Sequence, residues 1–530
     1  MIKNFKWLLL VSLTFVACNN DDEAVINPDS SDGLPLTAGS ADFSKYIALG
    51  DSFAAGFSDN ALFIEGQKGA YPNILAQQFA LVGGGAFTTP LMADNVGGFF
   101  GSTIYTPRLY LAPPAGPGLS PSPSSVALPP YSQASSTTLA SLGTAFNNMG
   151  IPGAKSFHLL APGYGDPMGV ISNPPTANPY FVRFASNSST SVLADALDQS
   201  PTFFSLWIGG NDELGYATAG GDATVNPLTP TATFNAVYNT IISQLTAGDK
   251  KGVIANLPYV TTLPYFHVIQ YNQLTQDNLT VNGVNQVNDL NTLLYGPLHN
   301  ALAYLGQGSR INLLATSGNN PMLMVDENLT DLSVPLGQVI TQGLILQGTP
   351  APLASAQGTL LGQVFGKTRQ TLPTDLICLS ASSRIGKLPS QAVDGVTSPA
   401  PSLLGQLGVT FPLPDRYILI PTEVAEIQAA TDAYNVTIEG AAAANSAQIA
   451  LVDAKSIMNS LTTTGITGNG FTLNSTYVTG GAFSLDGVHP TPRGYALIAN
   501  KFLEAINLKF GSNFKGVSLS NYRIMFPPVF

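Results

Sequence analysis

Short, uninterrupted apolar runs alternate along much of the chain with stretches whose apolar residues recur every three or four positions. Tyr46-Ile47-Ala48-Leu49 ends in Gly50-Asp51-Ser52, which predicts a buried strand closing in a tight turn. Residues 70–78, with Tyr71, Ile74 and Leu75 in phase, have helical spacing. Further strands are expected at 203–208, ahead of Gly209-Gly210, at 253–255 and at 449–452. Thr229-Pro230 is expected to open the clearest helix, with Thr229 as its cap, Pro230 in the first turn and Gly248 at its exit. Phe234, Val237, Tyr238, Ile241, Ile242 and Leu245 form its apolar face. Thr491-Pro492 begins a final helix, with Tyr495, Ile498, Phe502, Leu503 and Ile506 on one side. Apolar strands alternating with amphipathic helices predict an α/β fold whose parallel sheet is covered on both faces.

Two regions break this alternation. Residues 84–140, which follow Gly83, contain Gly84-Gly85, Gly97-Gly98 and Pro113-Pro114-Ala115-Gly116-Pro117, and predict a long irregular excursion. Residues 267–414 contain apolar runs of their own, such as Met322-Leu323-Met324-Val325 and Leu376-Ile377-Cys378-Leu379, and predict an ordered subdomain. Long segments between core elements commonly border functional sites.

Composition narrows the class. Of 530 residues, 21 are Lys or Arg and 32 are Asp or Glu, a formal net charge of -11. Charged residues make up only 10% of the chain and hydrophobic ones 45%, whereas an ordinary soluble domain is about 25% charged. Such a chain can bury a large core, which excludes global disorder. It lacks the basic surface that nucleic acid demands. The mean hydropathy of +0.19 raises the question of a membrane protein. No apolar run reaches the roughly 18 residues of a spanning helix. Pro527-Pro528 would interrupt a membrane strand ending at Phe530.

The start of the chain bears on location. Lys3 and Lys6 precede an apolar stretch at 7–17, and Phe15-Val16-Ala17-Cys18 resembles a bacterial lipobox. The expected organisation is a signal peptide at 1–17, lipidation at Cys18 and a flexible polar linker through residue 42. A main domain at 43–510 and a C-terminal extension at 511–530 follow. The acidic run Asn19-Asn20-Asp21-Asp22-Glu23 resembles the export signal of Bacteroidetes-type lipoproteins, which implies an outer-membrane lipoprotein facing outward. With Cys18 lipidated, Cys378 has no disulfide partner and reads as a small buried apolar residue.

Acyl-transfer chemistry needs a nucleophile, a base, a group that orients the base, and donors for an oxyanion. Of the four histidines, His158, His267, His299 and His489, only His489 has an acid at close range in a loop-like setting, Asp486-Gly487-Val488-His489-Pro490. That spacing lets one tight turn direct the Asp486 carboxylate at a ring nitrogen and set the tautomer. Ser52 lies at the end of an apolar strand, where a hydroxyl projects from the carboxyl edge of a parallel sheet. Asn211 follows Gly209-Gly210, and Gly153 lies in Ile151-Pro152-Gly153-Ala154. Asp51 and Asp212 read as braces for their loops, and His158 as a structural helix residue.

In chain order, Gly50-Asp51-Ser52, Gly153, Gly209-Gly210-Asn211-Asp212 and Asp486 through His489 resemble the SGNH hydrolases, also called GDSL esterases and lipases. The resemblance covers about residues 43–265 and 416–510. It implies a flavodoxin-like, three-layer α/β/α sandwich around a five-stranded parallel sheet, with the two excursions as insertions. It also implies a site without metal or organic cofactor. Ser52 would be the nucleophile, His489 the base and Asp486 its orienting acid. The Ser52 N–H, the Gly153 N–H and the Asn211 amide would form the oxyanion hole, with Gly150 close enough in sequence to compete for the place of Gly153. Phe53 stands where the name-giving motif has Leu. The activity implied is hydrolysis of carboxylic esters through an acyl-enzyme, on an acyl lipid or an acetylated glycan. The alternative of another class is a non-enzymatic binding lipoprotein on the same scaffold. The weakly charged excursions predict a neutral, partly apolar surface facing the substrate.

Overall fold

Five parallel strands build the central sheet of the computed structural model, which describes residues 30–114 and 121–530. The expected signal peptide, Cys18 and the first part of the linker lie outside the described residues. The strands are β1 (Tyr46–Gly50), β2 (Asn148–Gly150), β3 (Phe203–Trp207), β4 (Lys251–Ala255) and β5 (Ile449–Val452). Their spatial order is β2-β1-β3-β4-β5. Every residue of β1 and β3 is buried, which is why both are apolar on each face rather than alternating. The strand that the apolar pattern does not predict is β2. It has only three residues, and Asn148 within it turns its amide to the Ala54 carbonyl (2.9 Å).

The helices used below are α1 (Ser52–Ala55), α2 (Tyr71–Ala80), α3 (Asn211–Thr218), α4 (Thr231–Leu245), α5 (Ser333–Leu346), α6 (Ala351–Phe365), α7 (Pro421–Ala444), α8 (Ala454–Thr463) and α9 (Pro492–Phe510). Of these, α2 packs against α9 and α4 against α7. The expected start of α9 holds, with Thr491 Oγ1 accepting the Gly494 N–H at 3.0 Å, and Gly511 closes the helix with a φ of 73°. The start of α4 differs from expectation. Pro230 itself occupies the capping position, and no side chain caps the helix. Thr229 instead directs its N–H to the Asp212 carbonyl (3.0 Å), so this residue ties α4 to α3 rather than capping it.

The irregular stretch 84–140 contains one antiparallel ribbon, Leu109–Ala112 with Ser122–Ser125, that the sequence does not announce. Residues between β4 and α7 pack around a second apolar core, with Leu302, Leu323, Met324, Leu336, Phe365 and Ile418 fully buried. Within it α5 lies against α6, and Gly358 and Gly362 let their backbones approach so closely that a Cβ would strike the backbone of α5. Arg369, buried between Asp326 (2.5 Å) and Asp375 (2.6 Å), pins this region internally. Cys378 is free and buried, and burial pushes its thiol far up, in keeping with an inert apolar role. Among the described residues, no helix is long and apolar enough to cross a membrane.

Strand order decides where a site can form. β2 lies on one side of β1 and β3 on the other, so the chain leaves their carboxyl ends in diverging directions and a crevice opens there.

Candidate active site

The turn after β1 places Ser52 at that crevice. Asp51 caps α1 by accepting the Phe53 N–H (2.9 Å), and Gly56 ends the helix after one turn with a φ of 84°. Close packing makes this turn possible. A Cβ on Gly50 would lie 2.6 Å from the Trp207 carbonyl oxygen, and one on Gly150 would lie 2.2 Å from the Ala55 nitrogen. Ser52 is buried under this arrangement, with its hydroxyl directed at His489.

The second half of the site arrives from more than 400 residues away. His489 Nδ1 lies 2.9 Å from Asp486 Oδ2, and His489 Nε2 lies 2.8 Å from Ser52 Oγ. With the Nδ1 proton donated to the carboxylate, Nε2 is left as the acceptor for the Ser52 hydroxyl. Asp486 is saturated. Its Oδ1 accepts the Val488 N–H (2.9 Å), the His489 N–H (2.8 Å) and the Ser484 hydroxyl (3.1 Å), and its Oδ2 also accepts the Asn60 N–H (2.9 Å). Burial alone would raise this carboxyl, but His489 and the surrounding N–H donors outweigh burial and hold it at about 2. Phe57 and Phe53 flank the imidazole, with ring centroids 4.6 and 5.5 Å from it.

Loops after β2 and β3 supply the third part. Gly153 has a φ of 80°, and nothing lies within 4 Å of where its Cβ would be. The Ser52 and Gly153 N–H groups make no hydrogen bond within the described residues. Gly150 is excluded from that role because its N–H is taken by Asn148 Oδ1 (3.0 Å) within β2. Asn211 opens α3 and spends one amide proton on the Ala154 carbonyl (3.1 Å), leaving the other uncommitted. Asp212 joins the two loops by accepting the Ser156 N–H and hydroxyl, both at 2.7 Å. Burial raises the Asp212 carboxyl, and it raises Asp51 to about 6. The bracing roles expected of both acids match these bonds.

Of the other histidines, His267 and His299 are bonded through a ring nitrogen to backbone carbonyls, Thr261 and Ile311, both at 2.8 Å. His158 lies, as expected, in a short helix, the 3-10 turn Ser156–Leu159, where its Nδ1 accepts the Lys155 N–H (3.0 Å), and it also lines a cavity beside Gly153. Sequence reasoning also missed the turn at Ser58-Asp59-Asn60. There the Asp59 N–H donates to Ser484 Oγ (2.9 Å), Asp59 Oδ1 accepts the Leu485 N–H (3.0 Å) and Ser58 Oγ donates to the Pro490 carbonyl (3.1 Å). Asp59 and Asn60 have φ of 51° and 65°, and the Asp-Asn pair, tolerant of that left-handed region, was the only signal available in the sequence. Burial raises the Asp59 carboxyl to about 7 and leaves its Oδ2 without a partner.

Two cavities adjoin these residues. One, of about 400 Å3, opens beside Gly153, Phe57 and Asn60. The other, of about 60 Å3 and lined almost wholly by apolar groups, lies behind Phe53, Trp207 and Pro490. Comparison of the chain with protein-family models, with curated proteins and with solved structures finds no match. The site therefore stands on its geometry. A hydroxyl bonded to an imidazole that is itself bonded to an ionised carboxylate can attack a carbonyl carbon, and the unspent N–H groups of Ser52, Gly153 and Asn211, on segments that leave the same sheet edge, are donors of the kind that hold an oxyanion.

Proposed function

We propose that the protein is a serine esterase of SGNH type that hydrolyses carboxylic esters through an acyl-enzyme. The observation that carries this reading is the continuous Ser52–His489–Asp486 hydrogen-bond chain at the carboxyl edge of the sheet. Ser52 Oγ attacks the ester carbonyl while His489 Nε2 takes its proton. The oxyanion is received by the Ser52 and Gly153 N–H groups and the free Asn211 amide proton. Collapse expels the alcohol, which takes the proton from His489. Water, deprotonated by the same nitrogen, then attacks the acyl carbon, and the acid leaves as Ser52 regains its proton. Asp486, held near a pKa of 2, stays ionised throughout and stabilises the imidazolium.

The strand order, with α2 and α9 packed together and α4 and α7 packed together, supports the three-layer α/β/α sandwich. The regions at 84–140 and 267–414 would then be insertions, with the chain tethered to the cell envelope through Cys18. The apolar space behind Phe53 supports short acyl groups, since about 60 Å3 falls well below the roughly 150 Å3 that accommodates a benzene ring. Reaction with a fluorophosphonate probe tests the reading directly. Stoichiometric labelling of the native protein, lost in Ser52→Ala, is expected. A native protein that neither labels nor turns over p-nitrophenyl acetate is instead the binding lipoprotein of the alternative reading.

A further inference from the structure

The 400 Å3 cavity beside Gly153 has a wall drawn from three separate stretches of chain: Phe57 and Asn60 beyond α1, Tyr105 from the irregular region, and residues between Pro152 and Tyr180. No Asp, Glu, Lys or Arg lines it. The nearby cations are turned to other partners. Lys155 Nζ donates to Asn226 Oδ1 (2.7 Å) and the Pro227 carbonyl (3.2 Å), and the Arg183 guanidinium donates to the Leu91 carbonyl (2.6 Å).

His158 is the one lining residue able to gain charge near neutral pH, and it is neutral. Burial first, and then the Lys155 ammonium, lower its imidazole to about 4. Its Nδ1 accepts the Lys155 N–H (3.0 Å), so the ring proton resides on Nε2, which has no partner within the described residues. Its ring stacks on Tyr164, with centroids 4.5 Å apart and planes 12° from parallel. Asn178 bolts this wall in place by donating to the Pro152 carbonyl (2.8 Å) and the Tyr164 hydroxyl (3.1 Å). The hydroxyls of Tyr105 and Tyr180, whose rings meet edge to face at 5.6 Å, also make no hydrogen bond within the described residues.

These features discriminate among ester alcohols. A charged moiety entering the cleft would lose its hydration without meeting a counter-charge. A long alkyl chain would cover the His158 N–H and the two tyrosine hydroxyls without offering them a partner. An uncharged, hydroxyl-rich moiety meets neither cost, and its C–H faces can lie on the aromatic rings. Resting on the esterase reading above, we propose that this cleft receives the alcohol portion of the ester and that this portion is a neutral glycosyl unit.

The test compares kcat/KM of the purified protein for an acetylated xylo-oligosaccharide, an acetylated oligogalacturonide and p-nitrophenyl acetate. The neutral ester is expected to exceed the anionic one by at least about tenfold, as one well-placed polar contact is worth about that factor. His158→Phe, which keeps an aromatic ring and removes the N–H, is expected to lower the ratio of xylo-oligosaccharide to p-nitrophenyl acetate turnover about tenfold, through KM. Tyr105→Ala, at a half-buried position, should lower the same ratio and serves if His158→Phe folds poorly. Equal or faster turnover of the oligogalacturonide, or an unchanged ratio in both variants, overturns the proposal while leaving the esterase reading intact. If no ester is turned over, p-nitrophenyl acetate included, the esterase reading fails instead. Binding of the unacetylated xylo-oligosaccharide by calorimetry then decides the cleft: saturable binding weakened by His158→Phe supports its chemistry, and absence of binding overturns it.

Discussion

The two sides of the candidate site are built on opposite principles. On the acid–base side, every polar atom of Asp486 is occupied, and the loop that carries it is held by the 58–60 turn, by the Tyr265 N–H on the Gly487 carbonyl (2.9 Å) and by its own Ser484–His489 bond (2.7 Å). On the oxyanion side, the Ser52 and Gly153 N–H groups and half of the Asn211 amide have no partner within the described residues. Saturation fixes the imidazole where its proton must go. On the proposed esterase reading, vacancy keeps donors ready for a charge that exists only during reaction, and preorganised donors of this kind need no rearrangement when it forms. The difference teaches that the unspent donors lie on one side of the site, while on the Asp486 side the buried Asp59 Oδ2 in the supporting turn is the exception to saturation.

Substitutions can break that contrast in order of effect. The largest is expected from Ser52→Ala, which should remove turnover of p-nitrophenyl acetate by about 10^4-fold or more with the melting temperature unchanged. Residual turnover at the native rate would place the nucleophile elsewhere. On the saturated side, Asp486→Asn leaves a shape that fits but offers an amide where His489 Nδ1 needs an acceptor. A fall in kcat of about 10^3–10^4 is expected, and a fall below tenfold would show that the tautomer is set by something other than Asp486.

Asn211→Ala tests the open side. Loss of one oxyanion donor typically lowers kcat by about 10^2–10^3, and KM should change little because the donor acts on the transition state. A change confined to KM would instead make Asn211 a ground-state contact.

The smallest effect on rate, and the sharpest on pH, is expected from Asp59→Asn. The native carboxyl titrates at about 7 when folded, mainly because it is buried, against about 4 in an unfolded chain. The folded state therefore holds the proton more tightly, and the contribution of Asp59 to stability declines as pH rises from about 4 through 7. Asn keeps an acceptor for the Leu485 N–H and cannot ionise. The stability of Asp59→Asn relative to the native protein should therefore rise across that window by no more than about 4 kcal/mol, read as a rising difference in melting temperature. A constant difference between pH 4 and 8 would mean that Asp59 does not change charge there.

Much of the fold was legible because burial leaves a periodic trace. β1, β3, β4 and β5 are apolar runs, and α2, α4 and α9 repeat at helical spacing, so local pattern alone located them. β2 escaped because three residues, one of them Asn148, are too few to set a period, and its partner in register is β1. The cap of α4 was misplaced because Thr229 bonds across to α3, a tertiary contact without a local signature. For the site, Asp486 and His489 could be paired because three residues separate them.

By itself, the sequence determined the alternation of strand and helix, the weak charge and the residue types able to do acyl-transfer chemistry. Those follow from nearest-neighbour rules of period, capping and turn formation. Only the tertiary structure decided that His489 meets Ser52, that Gly153 rather than Gly150 keeps a free N–H, and that the 58–60 turn holds the Asp486 loop. It also decided that His158 faces a cavity without formal charge. Each of those facts joins residues that are distant in the chain or chooses between equivalent neighbours. The choice is made by which hydrogen bonds and close backbone approaches the packed sheet edge permits, and no local rule contains that information.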